Sequence, residues 1–136
     1  MGAWSHEPFG NDTANDWAYG LEETKDLSHI GAALDNVLER GSAYLEASIA
    51  EEAVGAIEVL AKLLGRGTQS DAYTEKVDVW VKSIKQKPSA AMLEKARRVI
   101  SGICAEDSEL LQLWQVSDEA HRWQSLMAQL QAALRT

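Results

Sequence analysis

Cysteine is almost missing from this chain: Cys104 stands alone among 136 residues. A single thiol excludes an internal disulfide, a CxxC redox pair and any metal site built on paired cysteines. No apolar run approaches the roughly 20 residues needed to cross a bilayer. The opening stretch MGAWSHEPFGNDTANDW has neither the positive n-region nor the apolar h-region of a secretory signal. A cytoplasmic chain is the expectation. Basic residues are outnumbered, with 13 Lys and Arg against 21 Asp and Glu and a formal charge of -8. That charge repels phosphate backbones and anionic headgroups, so neither nucleic acid nor membrane is an expected partner, whereas a basic protein would be steered towards it.

Catalytic motifs are missing as well. No GxSxG elbow, GxxxxGK loop or GxGxxG turn follows a strand, and the chemistries that use them depend on that backbone arrangement. His6, His29 and His121 fall in separate elements with no pair four residues apart, so no HExxH-like metal face forms. Catalytic, cofactor-binding and metal residues are all expected to be none.

What the chain does contain is apolar residues, 46% of the total, enough for one real core. Their spacing is helical almost throughout. Residues 1–10 read as an extended arm, too irregular for a helix and anchored by Trp4 and Phe9. Asn11 and Asp12 offer cap oxygens before a first helix from about Asp12 to Glu23, whose face is Ala14, Trp17, Ala18 and Leu21. Ser28 is read as the cap of a second helix carrying Ile30, Ala33, Leu34, Val37 and Leu38, stopped by Gly41. Ser48 and Glu51 form a capping-box pattern before Ala50, Ala53, Val54, Ile57, Leu60, Ala61 and Leu64, with Gly65 and Gly67 ending that third helix. Tyr73, Val77, Trp80, Val81 and Ile84 mark a fourth, although the alternation of Val77, Val79 and Val81 also fits a short strand. After Pro88, Ser89 caps a fifth helix bearing Leu93, Ala96, Val99, Ile100 and Ile103, with Cys104 expected as a small core residue. Ser108 opens a short sixth, and Ser117 is read as the cap of the last, with Ala120, Trp123, Met127, Leu130 and Leu134 facing inward. The expected fold is all-α: one domain, 1–136, an irregular bundle of six or seven helices with an extended amino-terminal arm.

Two surface groups stand out. The carboxylates Glu22, Glu23 and Asp26, with Glu51 and Glu52, lie off the apolar stripes and are expected to form an acidic partner-binding surface. The arm gathers His6, Glu7, Asn11, Asp12 and Asp16, a polar cluster whose simplest reading is helix capping and whose alternative is a cation site or acid–base chemistry. Of the five tryptophans, Trp17, Trp80, Trp114 and Trp123 fall on apolar faces, which points to core packing.

MGAW followed by Phe9, Asn11, Asp12, Ala14, Asp16 and Trp17 resembles the opening of a bacterial family, domain of unknown function 4259. The likeness continues through Leu63, Leu64, Gly65 and Arg66 and through Ser108, Glu109, Leu110, Leu113 and Trp114, with departures at Ser5 and Thr13. The resemblance implies a fold and a bacterial origin, names no catalytic residue, and leaves Trp4, Phe9, Asn11, Asp12, Asp16 and Trp17 as a structural signature. The leading expectation is a non-catalytic protein-binding domain, specifically an immunity protein that neutralises a basic toxin through its acidic surface. The alternatives are a small-ligand or metal-binding enzyme built on the arm cluster, and a homo-oligomeric structural or regulatory subunit joined through the last helix.

Overall fold

The computed structural model describes residues 3–40 and 43–135; the expected stop at Gly41 lies outside them. Among the described residues seven α-helices follow one another: α1 (Asp12–Leu21), α2 (Ser28–Leu38), α3 (Ala47–Leu63), α4 (Glu75–Ser83), α5 (Ala90–Ile103), α6 (Glu109–Gln115) and α7 (Ala120–Ala133). A 3-10 turn, Ala72–Thr74, leads into α4. The chain is all-α, and the valine alternation that also fitted a strand lies in α4, where Val77 is buried and Val79 exposed.

α3 organises the molecule. It touches α1, α2, α4, α5, α6 and α7, and every residue from Ala53 to Ala61 is buried. A helix apolar on all sides belongs in a core, and its Ala and Gly residues let neighbours approach closely. Gly55 shows why: a Cβ there would lie 3.4 Å from both Ala14 Cβ and Phe9 Cε1, so the missing methyl makes room for the Phe9 ring. α3 ends in a Schellman motif, in which Gly65 takes φ 77°, its N–H donates to Lys62 and the Arg66 N–H donates to Ala61. Gly65 therefore supplies the expected stop.

Three expected caps hold. Asn11, Ser89 and Ser108 each accept a backbone N–H in the first turn of α1, α5 and α6. Three others are corrected. Ser48 and Glu51 form no capping box: α3 begins at Ala47 without a local side-chain cap, and its first N–H donates at 2.7 Å to Glu109 Oε1, from α6. Ser28 does not cap α2 but donates, through both its N–H and its hydroxyl, to Asp26. Ser117 lies one turn too early, accepting from Glu119 N while α7 begins at Ala120. The first helix also stops at Leu21 rather than Glu23.

The arm is not extended. Trp4 N–H donates to the Gly10 carbonyl, Gly10 N–H donates back to Glu7, and Ala3 bridges antiparallel to Asn11, closing a loop. Phe9 is fully buried beneath it, whereas Trp4 is 47% exposed. The arm is thus anchored by one ring, Phe9. The inner face of α7, with Trp123, Leu126, Met127, Leu130 and Ala133 buried, is spent on the chain's own core.

Candidate functional site

Beside the arm the core carries a buried polar network that no sequence motif announced. Glu58 is 0% exposed in the middle of α3. Its carboxylate accepts from Thr68 N and Oγ1 and from Gln69 N, with Lys62 Nζ at 3.8 Å. Burial, the largest influence, pushes its pKa up, against the downward pull of those donors and of Lys62. Gln69, also buried, accepts the Phe9 N–H at 2.8 Å and donates to Asp71. Lys62 pairs with Asp78 of α4 at 2.7 Å and donates to the Gln69 carbonyl. The network ties arm, α3, the loop after it and α4 into one unit. The signal for Glu58 was present in the sequence: 54, 57, 58 and 61 share one helical face, which places a carboxylate on an apolar stripe.

The exposed surface near the network has a different composition. Trp4 leaves the arm and packs against Tyr73, ring centroids 5.1 Å apart. Lys76, one turn beyond Tyr73, sits 3.2 Å over the ring of Tyr19 on α1. Val79 follows a turn later, 68% exposed, and borders a groove of about 630 Å³ with Trp80, Glu22, Lys25, Glu75 and Ser83. Trp80 is itself buried and is fixed by donating Nε1–H to the Thr24 carbonyl at 2.9 Å. Along α1, the exposed residues Asp12, Asp16 and Tyr19 repeat at spacings of four and three, which sets them on one face, and exposed Glu23 follows just past the end of the helix. The arm, α1 and the 3-10 turn that leads into α4 therefore present an aromatic strip, Trp4, Tyr73 and Tyr19, bordered by carboxylates and by Lys25 and Lys76.

The five carboxylates expected to act together do not share one environment. Glu22 and Glu23 are exposed beside this strip. Asp26 is exposed too, but its carboxylate is engaged by Ser28, whose hydroxyl and N–H hold its pKa below the usual value. Glu51 and Glu52 are half-buried. Glu51 lines a small internal cavity with Ser5, His6, Asn11, Trp114 and Trp123, and desolvation raises its pKa despite the nearby Thr13 hydroxyl. Desolvation raises Glu52 as well, with His29 pulling the other way. The acidic surface is accordingly smaller at α3 than expected and larger at α1.

The arm cluster also divides. Asn11 is the α1 cap, its Oδ1 accepting from Ala14 N at 2.7 Å, and Asp12 occupies the first turn, where its charge suits the helix dipole. Asp16 points to solvent and makes no hydrogen bond or ion pair among the described residues. His6 and Glu7 border the small cavity with Asn11 and Glu51 on one side and a depression with residues of α7 on the other. Among the described residues no group of three His, Cys, Asp or Glu is placed to hold a metal ion. Trp17 is buried and stacks on His29 with centroids 4.7 Å apart, while His29 Nε2 donates to the Trp17 carbonyl at 2.9 Å. Trp80 and Trp123 are buried and Trp114 is partly so. Cys104, expected in the core, is exposed as the residue that closes α5. Desolvation beside the groove between α5 and α7 raises its thiol pKa.

No helix among the described residues is long and apolar enough to cross a membrane. No curated protein and no solved structure matches the chain. A family model does, over residues 2–126, which takes in the arm, the aromatic strip, the buried network and the first half of α7. With nearly its whole length inside that match, the chain belongs to the domain of unknown function 4259 family.

Proposed function

We propose that the protein binds a basic protein partner through the face formed by the arm, α1 and α4. The observation that carries this reading is the strip of Trp4, Tyr73 and Tyr19, three large rings left exposed where the carboxylates Asp12, Asp16, Glu22, Glu23 and Glu75 outnumber the cations Lys25 and Lys76. Tyr and Trp dominate binding energy at protein interfaces because they bury much area for few rotatable bonds. An acidic rim selects cationic partners and speeds their encounter. The net charge of -8 acts in the same direction over longer range. Neutralisation of a basic toxin is the specific form of this role that analogy with small acidic immunity domains supports.

The test begins with co-purification from the native organism, followed by binding kinetics with the recovered protein. Trp4→Ala and Tyr73→Ala should each weaken binding by about 2 kcal/mol, mainly through faster dissociation. Reversing Asp16 and Glu23 to Lys should instead slow association at about 0.1 M salt and lose most of that effect at about 1 M, where the Debye length falls to about 3 Å. A partner that binds both sets of variants as it binds the native chain would refute the assignment of this face.

A further inference from the structure

Of the three histidines, one is used by the fold: His29 is hydrogen-bonded to Trp17 and stacked on its ring. The other two, 115 positions apart in sequence, meet. His6 from the arm and His121 from α7 line one depression of about 230 Å³ together with Arg122, Ser125, Gln129 and Thr68, with Glu7 and Leu126 completing the wall. Among the described residues neither His6 nor His121 has a hydrogen-bond partner. Arg122 touches Glu119 only through Nε, at 3.4 Å, and its two terminal nitrogens are unpaired. The Ser125 hydroxyl and the Gln129 amide are likewise unpaired among the described residues. Unused donors are therefore gathered at one spot in a chain whose surface is otherwise rich in acceptors.

We propose that this depression binds the oxyanion group of a small ligand, a carboxylate or a phosphate. A guanidinium with two free terminal nitrogens matches either group as a two-pronged donor. His6 approaches from the arm, whereas His121, Arg122 and Ser125 come from α7, so the anion is held by two elements. His121 and Arg122 belong to the first turn of α7, where the helix dipole has the same sign. The volume is below that of pockets for drug-sized molecules, which restricts the ligand to a compact one. Glu7 in the wall disfavours a second negative charge on the ligand and favours a donor on its far side. The site is independent of the binding face on α1 and α4, since it draws on α7 and on a different part of the arm.

The inference is tested on the intact, isotope-labelled chain by following the three histidine side chains in NMR titrations with sodium phosphate and with sodium acetate, against sodium chloride at matched ionic strength and pH. Saturable movement of the His6 and His121 signals, with His29 unmoved, is the expected result. A response to phosphate alone identifies a phosphoryl ligand, and a response to acetate alone a carboxylate. Arg122→Ala, a change at a side chain 70% exposed, should weaken the response about tenfold or more while leaving the His29 signal in place as proof of folding. If neither anion gives a saturable response, if His29 moves in step with the others, or if Arg122→Ala titrates like the native chain, the site does not exist.

Discussion

At the scale of single residues, the two rings of the arm separate cleanly. Phe9 fills the space left by Gly55, so Phe9→Ala should cost about 3 to 5 kcal/mol, enough to remove much of a small domain's stability. Trp4 is half in solvent, and Trp4→Ala should cost under about 1 kcal/mol. Thermal unfolding of the two variants side by side checks the contrast; equal losses would mean that Trp4 also anchors the arm. Glu58 gives a second residue-level expectation. Glu58→Gln replaces an acceptor by an amide group facing N–H donors, and should cost about 1 to 3 kcal/mol. Because burial raises the Glu58 pKa, the folded chain keeps this proton at pH values where the unfolded chain has released it. Its contribution is therefore fullest below the unfolded value near 4.5 and declines as pH rises through the folded value. The stability difference between the native chain and Glu58→Gln, from urea unfolding at stepped pH, should shrink as pH rises above 4.5. A difference that grows with pH would mean that the four contacts outweigh desolvation.

At the scale of elements, helix positions were legible because the apolar residues recur at three and four, and because local caps such as Asn11, Ser89 and Ser108 lie directly before the stripes they open. The misread starts share a physical cause. Ser28 had a competitor two residues earlier, Asp26, whose carboxylate takes both its N–H and its hydroxyl, while Ser117 is engaged by the Glu119 N–H before α7 begins, and local spacing does not decide between such options. α3 is different, since its first amide is held by Glu109, 62 residues away, a pairing invisible to any local pattern. Glu109→Ala should accordingly act as the loss of a cap on a helix to which it does not belong. The expected cost is about 0.5 to 2 kcal/mol, and calorimetric unfolding measures it. If Glu109→Ala unfolds at the native temperature, that contact contributes nothing to stability. The candidate face was legible in part: Glu22 and Glu23 were read as surface, while Tyr19, Tyr73 and the exposure of Trp4 were not, because a ring on a helix boundary fits a buried or an exposed position equally well.

At the scale of the whole molecule, the placement of α3 has a consequence for how the chain opens. Six helices lean on one rod, so no one of them shields α3 alone and none can leave without uncovering part of it. Solvent reaches the backbone amides from Ala53 to Ala61 only when the surrounding helices separate. Deuterium should therefore enter those nine positions last and at a common rate, so that this short stretch of the chain reports the free energy of unfolding the entire domain.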